Sequence, residues 1–299
     1  MSAEWADAGG WAMLIGPLAE FGFMRRALIG CVALALGCAP VGVFLLLRRM
    51  SLTGDAMAHA ILPGAAIGYL VAGLSLPAMT IGGVVAGLVV AVASGLVARS
   101  TVLREDASLA AFYLLSLALG VLIVSTRGSS VDLMHVLFGS VLALDDAALG
   151  LLVGIAVATL AALALLYRAL VLECLDPAFL RSVSSRWSAL AHYGFLVLVV
   201  INLVAGFHAL GTLMAVGIMV LPAATARLWV RSLPALMALS VALALAASVA
   251  GLLISFHADW PTSPTIVLCL GAAYLASLIV GRHGAWRQGQ RGRQRHLKA

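Results

Sequence analysis

The chain has 299 residues, of which 63% are hydrophobic and only 10% charged, with a formal net charge of +6. A soluble domain carries about a quarter charged residues, so a water-soluble fold would lack the polar surface to cover this much apolar chain. Several apolar runs reach the ~20 residues that a bilayer span needs, and no long polar stretch is present to build a separate soluble domain.

Residues 1–24 hold Trp5, Trp11, Phe21 and Phe23 with few charges. The segment is too short and interrupted for a span, and it lacks the basic start and small-residue cleavage site of a signal peptide. It is expected to lie as an interfacial segment, because Trp favours the headgroup level. Nine apolar segments follow, at 27–47, 56–74, 78–98, 107–125, 148–168, 190–207, 209–226, 235–256 and 265–281. The expected fold is all-α: a polytopic transmembrane helix bundle of eight or nine spans, some short or broken. It forms one transmembrane domain over 25–281, followed by a basic tail over 282–299.

Between the first two segments lies Arg48 to Gly64, RRMSLTGDAMAHAILPG. Asp55 and His59 are four apart, which on a helix puts both side chains on one face, one turn apart. A carboxylate oxygen and an imidazole nitrogen converging there can hold a divalent cation. Two plainer readings compete. Asp55 can cap the following helix, and His59 can be a packed histidine bonded to a carbonyl. Ionisable groups inside spans are costly, which favours a functional reading.

Further along, 126–147 is too polar between Asp132 and Asp145 for a span and is expected to form a short helix or hairpin on the outer side. His135 there is a candidate for greeting an incoming metal, against the reading of a surface histidine. Residues 169–189 form the longest polar interval. Asp176-Pro177 favours a turn and a helix start, followed by an amphipathic stretch with Phe179, Leu180 and Val183. The 190–226 region must supply two passes while Gly206, Gly211 and Pro222 interrupt it, so a short or broken helix is expected there. In 257–264, His257 and Asp259 lie two apart beside Pro261 and Pro264. With His208 they are candidates for an outer receiving patch, against the reading of a solvated loop.

The tail carries Arg282, Arg287, Arg291, Arg293, Arg295 and Lys298 and no acid, so the net charge resides there. A basic tail after a last span reads as cytoplasmic. Nucleic-acid binding is the competing reading of a basic run, disfavoured because only Trp286 is interleaved and the run abuts a membrane. With the N-terminus outside, the arginines near 48, 99, 168–186 and 227–231 fall on the cytoplasmic side, whereas Arg25, Arg26 and Arg127 do not. The four cysteines show no CxxC spacing and read as packing residues. Glycine pairs 64/68, 83/87 and 150/154 match the spacing that lets helices approach closely, although glycine is frequent enough for chance pairs. No GxxxxGK[ST] loop and no H-E-x-x-H are present, so the chain itself offers no phosphate cradle for ATP.

Taken with its flanks, RRMSLTGDAMAHAILPG resembles the signature of the ABC-3 family of metal-ion permeases, the membrane subunits of bacterial ATP-driven importers. VDLMHVLFGSVLAL (131–144), GTLMAVGIMVLPAATAR (211–227) and DWPTSPTIVLC (259–269) resemble further family segments in the same order, and FMRRALIG (23–30) resembles the usual opening. The likeness covers roughly residues 23–281. It departs at Ala58, where the family often has a small hydroxyl residue, and at Ser182, Ser184 and Ser185, near which it usually places a glycine. Asp259 matches the family pattern, and His135 does not.

The resemblance implies a permease subunit in a bacterial inner membrane, not itself an enzyme. Its implied partners are a separate ABC ATPase, a periplasmic or lipid-tethered metal-binding protein and a second copy of the chain. It also implies that the segment around Asp176, Phe179, Leu180 and Val183 docks on the ATPase. Asp55 and His59 would bind the transported divalent metal transiently, with no permanently bound cofactor. Zinc is favoured as the cargo, with manganese or ferrous iron as the alternatives. A proton-coupled secondary transporter remains a rival, with Asp55 and His59 as a relay. A membrane-embedded zinc enzyme would need a third clustered ligand.

Overall fold

A computed structural model describes residues 16–17, 20–73, 75–102, 105–126 and 144–281. The tail 282–299, His135 and most of the interfacial segment 1–24 lie outside the described residues. Within them the chain is helical: α1 (Gly22–Leu47), α2 (Thr53–Ala60), α3 (Leu62–Ala72), α4 (Leu76–Ser100), α5 (Glu105–Thr126), α6 (Asp146–Leu175), α7 (Pro177–Val183), α8 (Ser185–Leu210), α9 (Thr212–Arg227), α10 (Leu233–Ala258) and α11 (Thr262–Val280). Among the described residues, eight helical stretches are long and apolar enough to cross a membrane, with α2 and α3 together counting as one; α9 is a shorter apolar helix.

The central element is α1, which packs on α6, α8, α9 and α10. Its buried residues fall on every face, from Met24 and Ala27 to Phe44 and Leu45, as expected of a helix surrounded by others rather than one with a single apolar stripe. Close crossings depend on glycine. A Cβ on Gly42 would run into the backbone carbonyl of Met219 in α9, and one on Gly64 would strike the carbonyl of Gly82 in α4. The glycine pairs read from the sequence therefore divide. Gly64 and Gly68 pack on α4, Gly83 and Gly87 meet Ile61, Val200 and Val204, and Gly150 and Gly154 touch nothing within 4 Å.

Some buried polar side chains find partners across helices. Asn202 donates to Thr159 Oγ1 at 2.7 Å and to the Leu198 carbonyl at 2.8 Å, tying α8 to α6. Such bonds in a membrane average about 0.6 kcal/mol, so they set orientation more than stability. Arg26 pairs with Asp146 at 3.4 Å, joining the starts of α1 and α6. Cys31 and Cys38 are buried and no disulfide forms among the described residues, in keeping with a packing role.

The ends of α1 and α10 share a device. After α1, Arg49 takes a left-handed conformation (φ 60°). The Arg49 N–H then bonds Leu46 O at 3.1 Å and the Met50 N–H bonds Leu45 O at 2.9 Å. This is the pattern that usually carries glycine, closed by apolar contact between the two flanking positions. Asp259 closes α10 with φ 53°.

Element boundaries depart from the sequence reading in three places. The segment expected as one span over 56–74 is divided at Ile61, because Pro63 has no N–H for the carbonyl of His59. Residues 169–175, expected within a polar interval, continue α6 to Leu175. In the 190–226 region α8 runs unbroken through Gly206, and Pro222 sits within α9. The break falls at Gly211 alone, where φ is 90°.

Gly42→Ala is expected to lower the melting temperature of the detergent-solubilised protein, since overpacking costs about 1–3 kcal/mol. Gly154→Ala, which gains helix propensity and meets open space, should not lower it. Equal melting temperatures for Gly42→Ala and wild type would contradict the close crossing of α1 and α9.

Candidate metal site and coupling segment

Helix α2 begins after the α1 turn, with Leu52 at its N-cap and no side-chain cap bond. Asp55 therefore lies inside the first turn and is not the cap. A carboxylate is favoured there by the partial positive charge of the helix start. One turn later His59 points the same way: its Nε2 lies 3.8 Å from Asp55 Oδ1. An ion about 2.1 Å from each atom requires a separation below about 4.2 Å, so the pair can contact one cation as it stands. The side chains are 33% exposed for His59 and 68% for Asp55, so the pair is reachable.

Both residues line a cavity of about 340 Å³, with Ala58 beside them, Thr212 and Gly217 of α9 opposite, and Val267 of α11 beyond. The walls are chiefly apolar and the volume is large enough for a cation with several waters. Ala58 supplies no oxygen. Among the described residues no group of three or more His, Cys, Asp or Glu side chains converges. Two protein ligands fall short of a structural four-ligand cage, and the remaining positions would fall to water or another chain.

The opposite side of His59 is packed. Its Nδ1 is buried and has no hydrogen-bond partner among the described residues. The ring stacks on Tyr113 of α5, with centroids 6.3 Å apart and planes at 28°. Neither Tyr113 nor Thr212 is legible as part of the site from spacing. Thr212 belongs to the GTLM segment, but its position opposite α2 follows only from the crossing of α9 over α1.

The other candidate residues are placed elsewhere. His257 is exposed in the last turn of α10, with Nδ1 2.8 Å from the Leu253 carbonyl of its own helix. Asp259 is exposed at the α10–α11 turn, and His208 lies in the last turn of α8. Ser263 donates to the Leu210 carbonyl at 2.8 Å, which joins these two ends of the bundle. His257 and Asp259 do not line the cavity with Asp55.

The segment after α6 forms its own short helix, α7. The Asp176 carboxylate caps it by accepting from the Phe179 N–H at 2.9 Å, and Pro177 takes the first helical position, where a missing N–H costs nothing. The three apolar residues do not act alike. Leu180 is 4% exposed and anchors α7 against the bundle, whereas Phe179 and Val183, four apart on the other face, are 53% and 65% exposed. Of the three apolar residues expected in the coupling segment, Leu180 is the one that α7 buries against the bundle.

Comparison with known proteins gives one consistent picture. The family model described as "ABC 3 transport family" matches residues 20–281. The manganese import system permease protein ScaB of Streptococcus parasanguinis is 34% identical over 266 residues, covering 89% of this chain and 93% of that protein. The manganese transport system membrane protein MntC of Halalkalibacterium halodurans is 31% identical over 279 residues, covering 93% and 94%. The structure of PsaBC from Streptococcus pneumoniae in complex with Fab superposes with a TM-score of 0.81 at 30% identity, covering 94% of this chain and 99% of that one.

Removing the cap of α7 is the local test of this geometry. Asp176→Ala should destabilise α7 by about 1 kcal/mol, read as faster amide exchange over residues 177–183 with the long helices unchanged. Unaltered exchange in that segment would show that the cap contributes nothing.

Proposed function

The chain belongs to the ABC 3 transport family, as the multi-pass permease of a bacterial metal-ion ABC importer whose ATP hydrolysis takes place on a separate subunit, and we propose that manganese(II) is the ion it carries. The zinc favoured from sequence gives way because the relatives above are named for manganese. One carboxylate and one imidazole suit manganese, and among the described residues no thiolate lines the cavity to favour a softer ion. Ferrous iron shares this ligand preference and is separated from manganese by the competition experiment below.

The observation that carries the mechanism is the convergence of Asp55 and His59 on one apolar cavity. The ion, delivered by a substrate-binding partner, exchanges part of its water for the Asp55 oxygen and a His59 nitrogen. Two ligands keep binding favourable enough for the ion to enter and weak enough for it to leave. ATP binding and hydrolysis on the partner subunit shift the bundle between a state open to the delivery side and one open to the cytoplasm. A second copy of the chain, related by two-fold symmetry, would complete the pathway by facing its own Asp55 and His59 across it. In this arrangement the basic tail is cytoplasmic, and Phe179 and Val183 of α7 rest on the ATPase, with Leu180 holding α7 in place. His257, Asp259 and His208 lie at the delivery end.

Asp55→Ala and His59→Ala are each expected to abolish manganese uptake while the protein still reaches the membrane. Uptake at the wild-type rate by either variant would refute the ligand assignment. In competition against the same uptake, excess manganese should block most strongly, ferrous iron less and zinc least. Zinc as the strongest competitor would reverse the choice of ion. Phe179→Asp should leave ATP hydrolysis running without transport, and normal coupling in that variant would rule out docking through α7.

A further inference from the structure

A metal-ligating histidine almost always donates its second ring N–H to a carboxylate, a carbonyl or a water, which fixes both tautomer and orientation. For His59 no carboxylate or carbonyl among the described residues accepts such a bond. Its Nε2 faces Asp55, and its Nδ1 is buried with no hydrogen-bond partner among the described residues. The torsion that turns an imidazole is broad, so without a clamp the ring plane swings about the Cβ–Cγ bond. A ring stacked on its face holds that plane.

One helix supplies that packing. Tyr113 of α5 lies against the imidazole at 6.3 Å and 28°, within the range where offset aromatic rings attract. The same face of α5 touches the α2–α3 segment twice more. Ser116 Oγ donates to the Ala60 carbonyl at 2.9 Å. Gly120 lies under Pro63, close enough that a Cβ there would come within 3.1 Å of the Pro63 nitrogen. Positions 113, 116 and 120 recur at three and four residues, so they form one stripe. The stripe meets His59, Ala60 and Pro63 in order, directly at the break between α2 and α3.

We propose that Tyr113 is the positioning residue of His59, its ring holding the plane of the imidazole in which Nε2 faces Asp55, with Ser116 and Gly120 seating α5 so that the stack is held. The inference rests on the reading of Asp55 and His59 as the ligands of the transported ion. An imidazole already facing Asp55 loses no rotational freedom when the ion arrives. An imidazole released from the stack must be ordered by the ion itself, at a cost in affinity. The hydroxyl of Tyr113 has no part in this, only the ring.

The test is equilibrium binding of manganese(II) to the purified permease–ATPase complex without its delivery protein, with ATPase activity measured alongside. Tyr113→Leu should bind manganese about three- to tenfold more weakly, the range expected for loss of one aromatic pair. Tyr113→Phe, which keeps the ring, should match wild type. If Tyr113→Leu does not assemble, Tyr113→Met gives the same comparison against Tyr113→Phe. Unchanged affinity in the ring-less variant, with binding still lost in His59→Ala, overturns the positioning role and leaves the ligand assignment standing. Equal weakening in Tyr113→Phe and Tyr113→Leu overturns it too, because the hydroxyl would then be responsible. Unchanged affinity in His59→Ala removes the ligand assignment itself, and the positioning role with it.

Discussion

An acid and an imidazole 3.8 Å apart on a short helix inside an apolar bundle impose the constraint around which this structure is arranged. Ionisable groups at membrane depth are costly wherever they face lipid, so they survive on the wall of a cavity or against one another. Here both conditions hold. The cavity between α2, α9 and α11 gives the pair access, and the packing of α5 behind His59 keeps the imidazole turned toward Asp55. The break after Ala60 follows from the same need. Pro63 removes a rung of the helix ladder, and the Ser116 hydroxyl supports the chain at that point from the side.

The rest of the bundle can be understood as the frame that brings these pieces together. At the centre α1 carries α9, one wall of the cavity, against it at Gly42 and packs on α6 and α8. Because α9 crosses without a side chain intervening, its first turns sit close enough for Thr212 and Gly217 to close the cavity opposite Asp55. Far along the chain, α7 is capped by Asp176 and anchored by Leu180, so Phe179 and Val183 are held outward on a fixed platform.

Much of this was legible in the amino-acid sequence because it is local. The apolar runs marked the spans, the four-residue spacing put Asp55 and His59 on one helix face, and Asp176-Pro177 announced the start of α7. What escaped is either tertiary or a matter of which local signal prevails. Tyr113 lies 54 positions from His59, and nothing in its own segment distinguishes it from the other aromatics of an apolar helix. Of three potential breakers after residue 190, only Gly211 interrupts the chain. Gly206 is used for close packing against Ala215 and Leu34, and Pro222 is tolerated within α9. Pro63, by contrast, divides a run that hydropathy alone reads as continuous. The inward face of Leu180 depended on how α7 lies on α6 and α8, which periodicity over seven residues cannot determine.

The identity of the ligands bears on all of this, and manganese offers a direct probe because it is paramagnetic. Electron spin-echo spectroscopy of the manganese-loaded permease–ATPase complex should show coupling to a single class of imidazole nitrogen, and that coupling should vanish in His59→Ala. A wild-type spectrum without histidine nitrogen coupling, or the same coupling persisting in His59→Ala, would contradict the account.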